Sequence, residues 1–171
     1  GYTFSGWTTT DATVEDGSFT MPAKDVKLTG SWIANEDTKY TVEYYHEQIE
    51  GGYDLNASID RQGTTATEVS VTEADKADRE NGKYTFDAEH ESNVLSGTIA
   101  ADGSLVLKLY FKLNEFEVSY EYTGEVPEGA PKVPAAEQVK ADATVTVAEE
   151  PILKGYTFSG WTTTDATVED G

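Results

Sequence analysis

Residues 1–17, GYTFSGWTTTDATVEDG, recur without a change at residues 155–171. Internal self-similarity of this kind is typical of repeat architectures. Counted from Gly1 to Gly155 the period is 154 residues, which is far longer than the about 20–50 residues of a solenoid repeat. Surface positions such as Thr8 are free to drift, so the identity indicates true duplication. A natural array of near-identical units is favoured, and an engineered duplication is the alternative.

The composition narrows the classes of function. The 171 residues carry 32 acidic and 12 basic side chains, a net charge of −20. This charge argues against nucleic acid, which requires a basic surface, and against binding to anionic lipid. The absence of cysteine excludes disulfides and cysteine-based metal sites. No apolar stretch has the length of a membrane span, and we expect any secretion or anchoring signal to lie outside this window.

Alternation with a period of two residues predicts a mainly β chain, α+β at most. Residues 39–45 (KYTVEYY) and 116–122 (FEVSYEY) alternate apolar and polar side chains, as half-buried strands do. The Asp102-Gly103 pair predicts a hairpin turn. Short helical turns are the only helix expected, at residues 74–79 and 134–139. Further strands are predicted at residues 18–21, 26–33, 54–59, 68–71, 83–87, 94–99, 105–113, 144–147 and 156–161.

Two stretches resemble known families. FEVSYEY at 116–122, GYTFSGW at 155–161 and LTGSW at 28–32 resemble the Listeria–Bacteroides, or internalin B-type, repeat. YTVEYY at 40–45 and GKYTF at 82–86 resemble the mucin-binding (MucBP-type) repeats of Gram-positive adhesins, as do SGTIAADG at 96–103 and the strand that follows it. The internalin-type match is the more specific of the two.

The resemblance implies tandem small β-grasp-like (ubiquitin-like) domains in wall-anchored surface proteins. Residues 1–35 are expected to be the C-terminal part of an internalin B-type repeat, and residues 39–112 a MucBP-like domain. Residues 114–171 are expected to begin the next internalin B-type repeat, completed by the equivalent of residues 18–33. Neither family brings catalytic residues to this chain.

Aromatic and aliphatic side chains are the expected structural core, because aromatic residues bury large areas each. Gly6 between Phe4 and Trp7 lets another ring or backbone approach closely. An exposed glycan-stacking platform is the alternative for the tryptophans. The expected core residues are Phe4, Trp7, Trp32, Tyr40, Val42, Tyr44, Tyr84, Phe86, Leu107, Leu109, Phe116, Val118, Tyr120, Phe158 and Trp161.

No catalytic, cofactor-binding or metal-binding residue is predicted. His46 and His90 have no second histidine nearby in sequence, and no G-x-S-x-G motif occurs. Calcium at a domain junction stays open, as do isopeptide crosslinks. The crosslink candidates are Lys39, Lys83 and Lys108 with Asp87, Asn93 and Asn114.

These observations predict a non-catalytic stalk or spacer repeat of a long bacterial surface adhesin or fibre. A weak multivalent module for host glycan or mucin is the alternative, and an enzyme is a distant third. The expected partners are neighbouring copies of the same repeat, with residues 18–33 completing residues 114–171 in one chain or by exchange between molecules. Host glycans or surface proteins are further candidates. Nucleic acid and membrane insertion are not expected.

Overall fold

The structure is a computed structural model that describes residues 1–167. Within this range the secondary structure consists of short and long β-strands without any helix, so the mainly β prediction is confirmed. The chain divides into two compact units, Gly1–Lys112 and Leu113–Gly171. The strands are β1 Tyr2–Phe4, β2 Trp32–Ala34, β3 Thr38–Glu47, β4 Tyr53–Gly63, β5 Glu68–Ser70, β6 Tyr84–Phe86, β7 Ser96–Thr98, β8 Val106–Leu113, β9 Glu115–Val118 and β10 Glu137–Lys140.

A four-stranded sheet with the order β4-β3-β8-β6 is the centre of the first unit. Strands β3 and β4 form an antiparallel hairpin, and the Gln48 N–H donates to the Gly52 carbonyl at 2.9 Å across its turn. Gly51 and Gly52 have φ angles of +90° and +80°, a conformation that glycine adopts without steric cost. The two glycines therefore fix where β3 ends and β4 begins.

The core lies on one face of this sheet. Successive side chains of a strand point to opposite faces, and every second residue of β3 is buried. Strand β8 runs parallel to β3, and the register places Val42 beside Leu107 and Tyr44 beside Leu109. Each of these four residues is at most 1 % exposed. The buried hydrophobic residues of the unit are Tyr40, Val42, Tyr44, Tyr84, Ile99, Leu107, Leu109 and Phe111.

The predicted hairpin at Asp102-Gly103 is wrong. The Gly103 N–H donates to the Ala100 carbonyl at 2.9 Å, so a turn does form there. The strands on either side of it, however, belong to different sheets: β7 pairs with β5, and β8 pairs with β3. The turn therefore connects two sheets.

Neither predicted helical turn becomes a helix. Residues 74–76 lie in a turn in which Asp75 is buried, and Arg79 forms an isolated bridge with Tyr84. Within the segment 134–139, Gln138 and Val139 pair with Glu117 and Phe116 as part of β10. Strand pairing has overridden the helical preference of this segment, which is common in short stretches where propensity is a weak determinant.

The strand predictions at both ends of the chain are only partly correct. Residues 18–21 and 26–31 form no strand, although the isolated bridges Glu15–Ser18 and Thr8–Thr29 hold their backbones in place. The strand that begins at residue 115 stops at Val118, and residues 144–147 and 156–161 form none. Residues 168–171, which belong to the predicted third domain, lie outside the described residues. The β-grasp assignment and the three-part domain division stay predictions.

Replacing Leu109 with alanine is expected to destabilise the first unit by about 2–5 kcal/mol, the usual cost of removing a leucine side chain from a packed core. Leu55, which lies on β4 and is 51 % exposed, is the matched control, and Leu55→Ala should change stability by less than about 1 kcal/mol. Urea unfolding of both variants measures the difference. Equal losses would show that the β3–β8 face is not the core.

Candidate functional site: the two copies of the aromatic segment

Three aromatic side chains of the first copy, Tyr2, Phe4 and Trp7, lie together with Trp32 of β2, and we call these four residues the N-terminal aromatic face. Strands β1 and β2 pair antiparallel with Phe4 opposite Trp32. The Phe4 ring lies 5.1 Å from Trp32 and 5.1 Å from Trp7, which it meets edge to face. Gly6, with a φ of +87°, turns the chain between Phe4 and Trp7.

This face is open to solvent, which contradicts the expected burial of two residues. Trp7 is 67 % exposed and Trp32 is 68 % exposed, while Phe4 is half-buried. The physical reason is that β1 and β2 have three residues each and pair only with one another. Such a pair has no second layer to cover its rings. A shallow depression lined by Tyr2 and Trp32 lies on the same surface.

The second copy has a different environment. Phe158 and Trp161 meet edge to face at 4.8 Å, and both are half-buried. Trp161 lies 4.9 Å from the Tyr120 ring and stacks on Tyr122 at 5.8 Å. Tyr122 also contacts Phe158 at 6.4 Å. We call Tyr120 and Tyr122 the tyrosine pair.

Identical residues thus keep one local geometry in two surroundings. The phenylalanine–tryptophan centroid distance is 5.1 Å in the first copy and 4.8 Å in the second, and the planes cross at 67° and 61°. The surroundings differ, because β2 pairs with the first copy and the tyrosine pair shields the second. The indole Nε1 of Trp161 is buried without a hydrogen-bond partner within residues 1–167.

The other predicted core residues fall into two groups. In the first unit most of them are buried, and in the second unit none is. Phe116 is 55 % exposed, which contradicts its expected burial, because its strand pairs only with β10. The buried ones are Tyr40, Val42, Tyr44, Tyr84, Leu107 and Leu109, and the half-buried ones are Phe86, Val118 and Tyr120.

A buried polar cluster that the sequence did not reveal lies on the core face of the central sheet. Asp75 is 4 % exposed. It accepts hydrogen bonds from both terminal nitrogens of Arg61, from the Tyr44 hydroxyl at 2.7 Å and from the Thr72 backbone N–H at 2.7 Å. The Arg79 guanidinium lies 4.0 Å above the Tyr44 ring. The pattern Thr72-x-x-Asp75, in which each residue caps the other, was the sequence signal that could have indicated it.

The electrostatics of this cluster are those of a structural ion pair. Burial alone would raise the pKa of Asp75, but the hydrogen bonds from Arg61, Thr72 and Tyr44 outweigh it and hold that pKa well below its usual range. The hydrogen bond to Asp75 in turn raises the pKa of Arg61. The Thr72 hydroxyl donates a fifth hydrogen bond to Asp75 at 2.8 Å. A carboxylate with five donors is a poor general base, so the cluster holds the segment at residues 72–79 against the sheet.

His46 is the second buried ionisable group. It is 3 % exposed, and its ring stacks on Tyr84 at 4.1 Å. Neither ring nitrogen has a hydrogen-bond partner within the described part of the chain, although Nδ1 lies 3.6 Å from a Glu80 carboxylate oxygen. Burial lowers the pKa of His46; the Glu80 charge partly opposes this, and Arg79 and Lys83 reinforce it. The imidazole is thus held neutral at neutral pH.

The opposite face of the sheet carries a stack of rings. Tyr110 lies between Tyr45, at 4.7 Å, and His90, at 4.0 Å, with both planes nearly parallel to its own. The edge of Tyr53 closes the stack. The hydrogen bond that the Tyr45 hydroxyl donates to Glu43 raises the pKa of Tyr45 to about 12. Because the flat ring faces cover one another, the stack stiffens this surface.

The candidates for crosslinks are engaged elsewhere. The ammonium groups of Lys39 and Lys83 pair with Asp60 and Glu80 at 3.5 and 3.3 Å. Lys108 lies 3.9 Å from Glu43. The Asn93 side chain bonds to the backbone of Asp87 and of Tyr110. The three lysines thus face carboxylates and the Asn93 side chain bonds to backbone, while the isopeptide crosslinks stay untested.

Residues 1–167 contain neither a candidate metal site nor a candidate membrane span. No group of three or more histidine or acidic side chains there could hold a metal ion. Nor does that range contain a helix long and apolar enough to cross a membrane.

Two family models match the parts of the chain that contain the duplicated segment. Residues 116–170 match the Listeria-Bacteroides repeat domain, and residues 1–36 match the divergent InlB B-repeat domain. Both ends of the chain are thus similar to internalin B-type repeats. B-repeats are typical of bacterial surface proteins and occur in extracellular ones. The MucBP-like resemblance of residues 39–112 stays a prediction. No curated protein and no solved structure matches the chain.

Replacing Asp75 with alanine is expected to destabilise the first unit by about 3–5 kcal/mol, because it leaves the half-buried charge of Arg61 and the Tyr44 hydroxyl without their partner. Asp54, an exposed residue of β4, is the matched control, and Asp54→Ala should cost less than about 0.5 kcal/mol. Thermal unfolding of both variants compares them. A loss near that of the control would show that the cluster does not hold the segment at residues 72–79.

A fall in pH should destabilise the first unit before its carboxylates titrate. The folded pKa of His46 lies below the ordinary 6.5, so the unfolded state binds the proton first and stability decreases as pH falls below about 6.5. His46→Phe should remove most of this decrease, and Glu80→Gln should steepen it. Urea unfolding between pH 7.5 and 5 measures the slope. An unchanged slope in His46→Phe would assign the effect to other groups.

Proposed function

We propose that this chain is a non-catalytic stalk repeat of a bacterial surface protein, which holds more distal parts away from the cell. Its B-repeat segments and its central domain would alternate along a wall-anchored fibre. The support is the anchored junction between residues 1–36 and the central domain, together with the non-catalytic character of the matched repeat families.

The junction has little freedom to bend. The Asn35 N–H donates to the Gly1 carbonyl at 2.8 Å, and the Thr65 N–H donates to the Asn35 carbonyl at 2.9 Å. The hydroxyl groups of Thr38 and Thr65 meet at 2.6 Å and are buried. A Cβ atom on Gly1 would lie 2.5 Å from the Cα of Ala101. The B-repeat segment therefore sits directly against the domain that follows it.

Repetition would carry this property along the fibre. Gly155 occupies in the second copy the position of Gly1 in the first. The close contact that Gly1 makes with Ala101 would therefore form again wherever another central domain follows. The net charge of −20 makes side-by-side contact between fibres unfavourable. Stiff junctions and mutual repulsion are what a spacer needs.

Glycan binding is the second candidate, and the exposed N-terminal aromatic face favours it. Flat aromatic side chains such as those of Trp7 and Trp32 can stack on sugar rings. The acidic surface opposes sialylated and sulfated glycans, which are themselves negative. A glycan ligand for this face would therefore be neutral.

A protein of two consecutive periods should scatter X-rays at small angles as an extended, stiff particle. Gly155→Val in that protein should make it more flexible, because the added side chain has no room against the next copy of Ala101. Thr164→Val, at an exposed position of the same segment, is the control. A compact or flexible envelope for the unsubstituted protein would contradict the stalk. Retention on a neutral glycan array that Trp32→Ser abolishes would favour binding.

A further inference from the structure

We propose that two copies of this chain associate head to tail, with the N-terminal aromatic face of one copy seated on the tyrosine pair of the other. In the partner molecule, the docked face would take the place of that molecule's own residues 155–161. This inference does not depend on the stalk role, and either can fail alone.

Within one molecule, Trp161 already makes the contact that Trp7 of another molecule would make. Trp161 is shielded by the tyrosine pair, at 4.9 Å from Tyr120 and 5.8 Å from Tyr122. Trp7 has the same sequence neighbours and the same edge-to-face phenylalanine, but it is 67 % exposed. Identical residues in the same local geometry can make the same contacts, so the tyrosine pair is a complementary surface for Trp7.

Docking would leave the β1–β2 pair intact, because Trp32 and the tyrosine pair contact different rings. Trp32 contacts Phe4 at 5.1 Å, and within the described residues no ring contact joins Trp32 to Trp7. In the second copy the tyrosine pair lies mainly against the tryptophan. Trp32 and the tyrosine pair would therefore cover different rings, and together they would complete an aromatic layer that neither end forms alone.

The N-terminal copy is also the better ordered ligand for the tyrosine pair. Residues 2–4 are held in a strand by β2, whereas residues 156–161 belong to no strand. A segment that is fixed before binding loses less conformational entropy when it binds. This preference favours exchange of the tethered copy for the N-terminal face of another molecule.

Two factors keep the association weak in the unsubstituted protein. The tethered residues 155–161 compete at an effective concentration in the millimolar range. The net charge of −20 on each molecule repels the other, and salt screens this repulsion. Association should therefore strengthen as ionic strength rises from about 0.01 to 0.15 M, where the screening length falls from about 30 to 8 Å.

Weakening the competitor is the direct test. In the full chain Trp161→Ser loosens the tethered copy, and sedimentation should then show association at a concentration at least tenfold lower than for the unsubstituted protein. Trp7 and Trp32 become the only tryptophans of that variant, so their emission should shift to shorter wavelength as the concentration rises. Trp7→Ser added to Trp161→Ser should abolish both effects. The control is Ile152→Ala added to Trp161→Ser, at a residue that is 91 % exposed. It should preserve both the association and the emission shift.

A mixing experiment tests the head-to-tail geometry. Tyr120→Ala with Tyr122→Ala leaves only the N-terminal face able to dock, and Trp7→Ser with Trp161→Ser leaves only the tyrosine pair. Each protein alone should be monomeric, and their mixture should form a complex with one copy of each. A heterologous contact predicts this result, since capped ends cannot propagate.

The outcomes separate cleanly. The proposal would be overturned if the Trp161→Ser protein stayed monomeric at all concentrations, or if the mixture formed no complex. Circular dichroism must first show that the first unit of each variant is folded. Association that survives Trp7→Ser would also overturn it. The stalk role is tested by the two-period scattering and stands or falls with that measurement.

Discussion

The parallel contact between β3 and β8 is the constraint on which the fold of the first unit depends. These two strands are separated by the whole length of the domain, and they bury Val42 against Leu107 and Tyr44 against Leu109. A parallel pair cannot be joined by a tight turn and requires a long connection. The connection between the end of β4 and the start of β8 supplies this length, and it contributes β6 to the edge of the same sheet and the β5–β7 pair outside it.

The connection contains no helix, and it is held to the sheet both by buried apolar residues such as Ile99 and by a polar cluster. An amphipathic helix would bury an apolar stripe on the sheet, whereas this segment offers turns and the short β5–β7 pair. Asp75 replaces part of the missing apolar contact by bonding to Arg61 from β4 and Tyr44 from β3. A buried ion pair adds little net stability over a hydrophobic contact but is costly to break, so it determines position more than it adds free energy.

The sequence predicted the long elements well and the short ones poorly, for a physical reason. Alternation over residues 39–45 is long enough to specify both the strand and its buried face, and Tyr40, Val42 and Tyr44 all lie inside. Residues 134–139 are too few for propensity to decide, and pairing with β9 made part of them a strand. The Asp75 cluster joins residues far apart in sequence, so only its local Thr72–Asp75 capping pattern was visible.

The tryptophans show why residue type alone could not predict burial. Trp7 and Trp161 have the same seventeen-residue context, yet one is 67 % exposed and the other half-buried. Burial here is a property of the pairing partner, because a two-stranded ribbon has no second layer of its own. The tyrosine pair supplies that layer at one end of the chain, and Trp32 supplies the closing strand at the other. Phe4 is therefore covered by Trp32 in the first copy, whereas Trp161 is covered by the tyrosine pair in the second, and the same residues are buried to different extents.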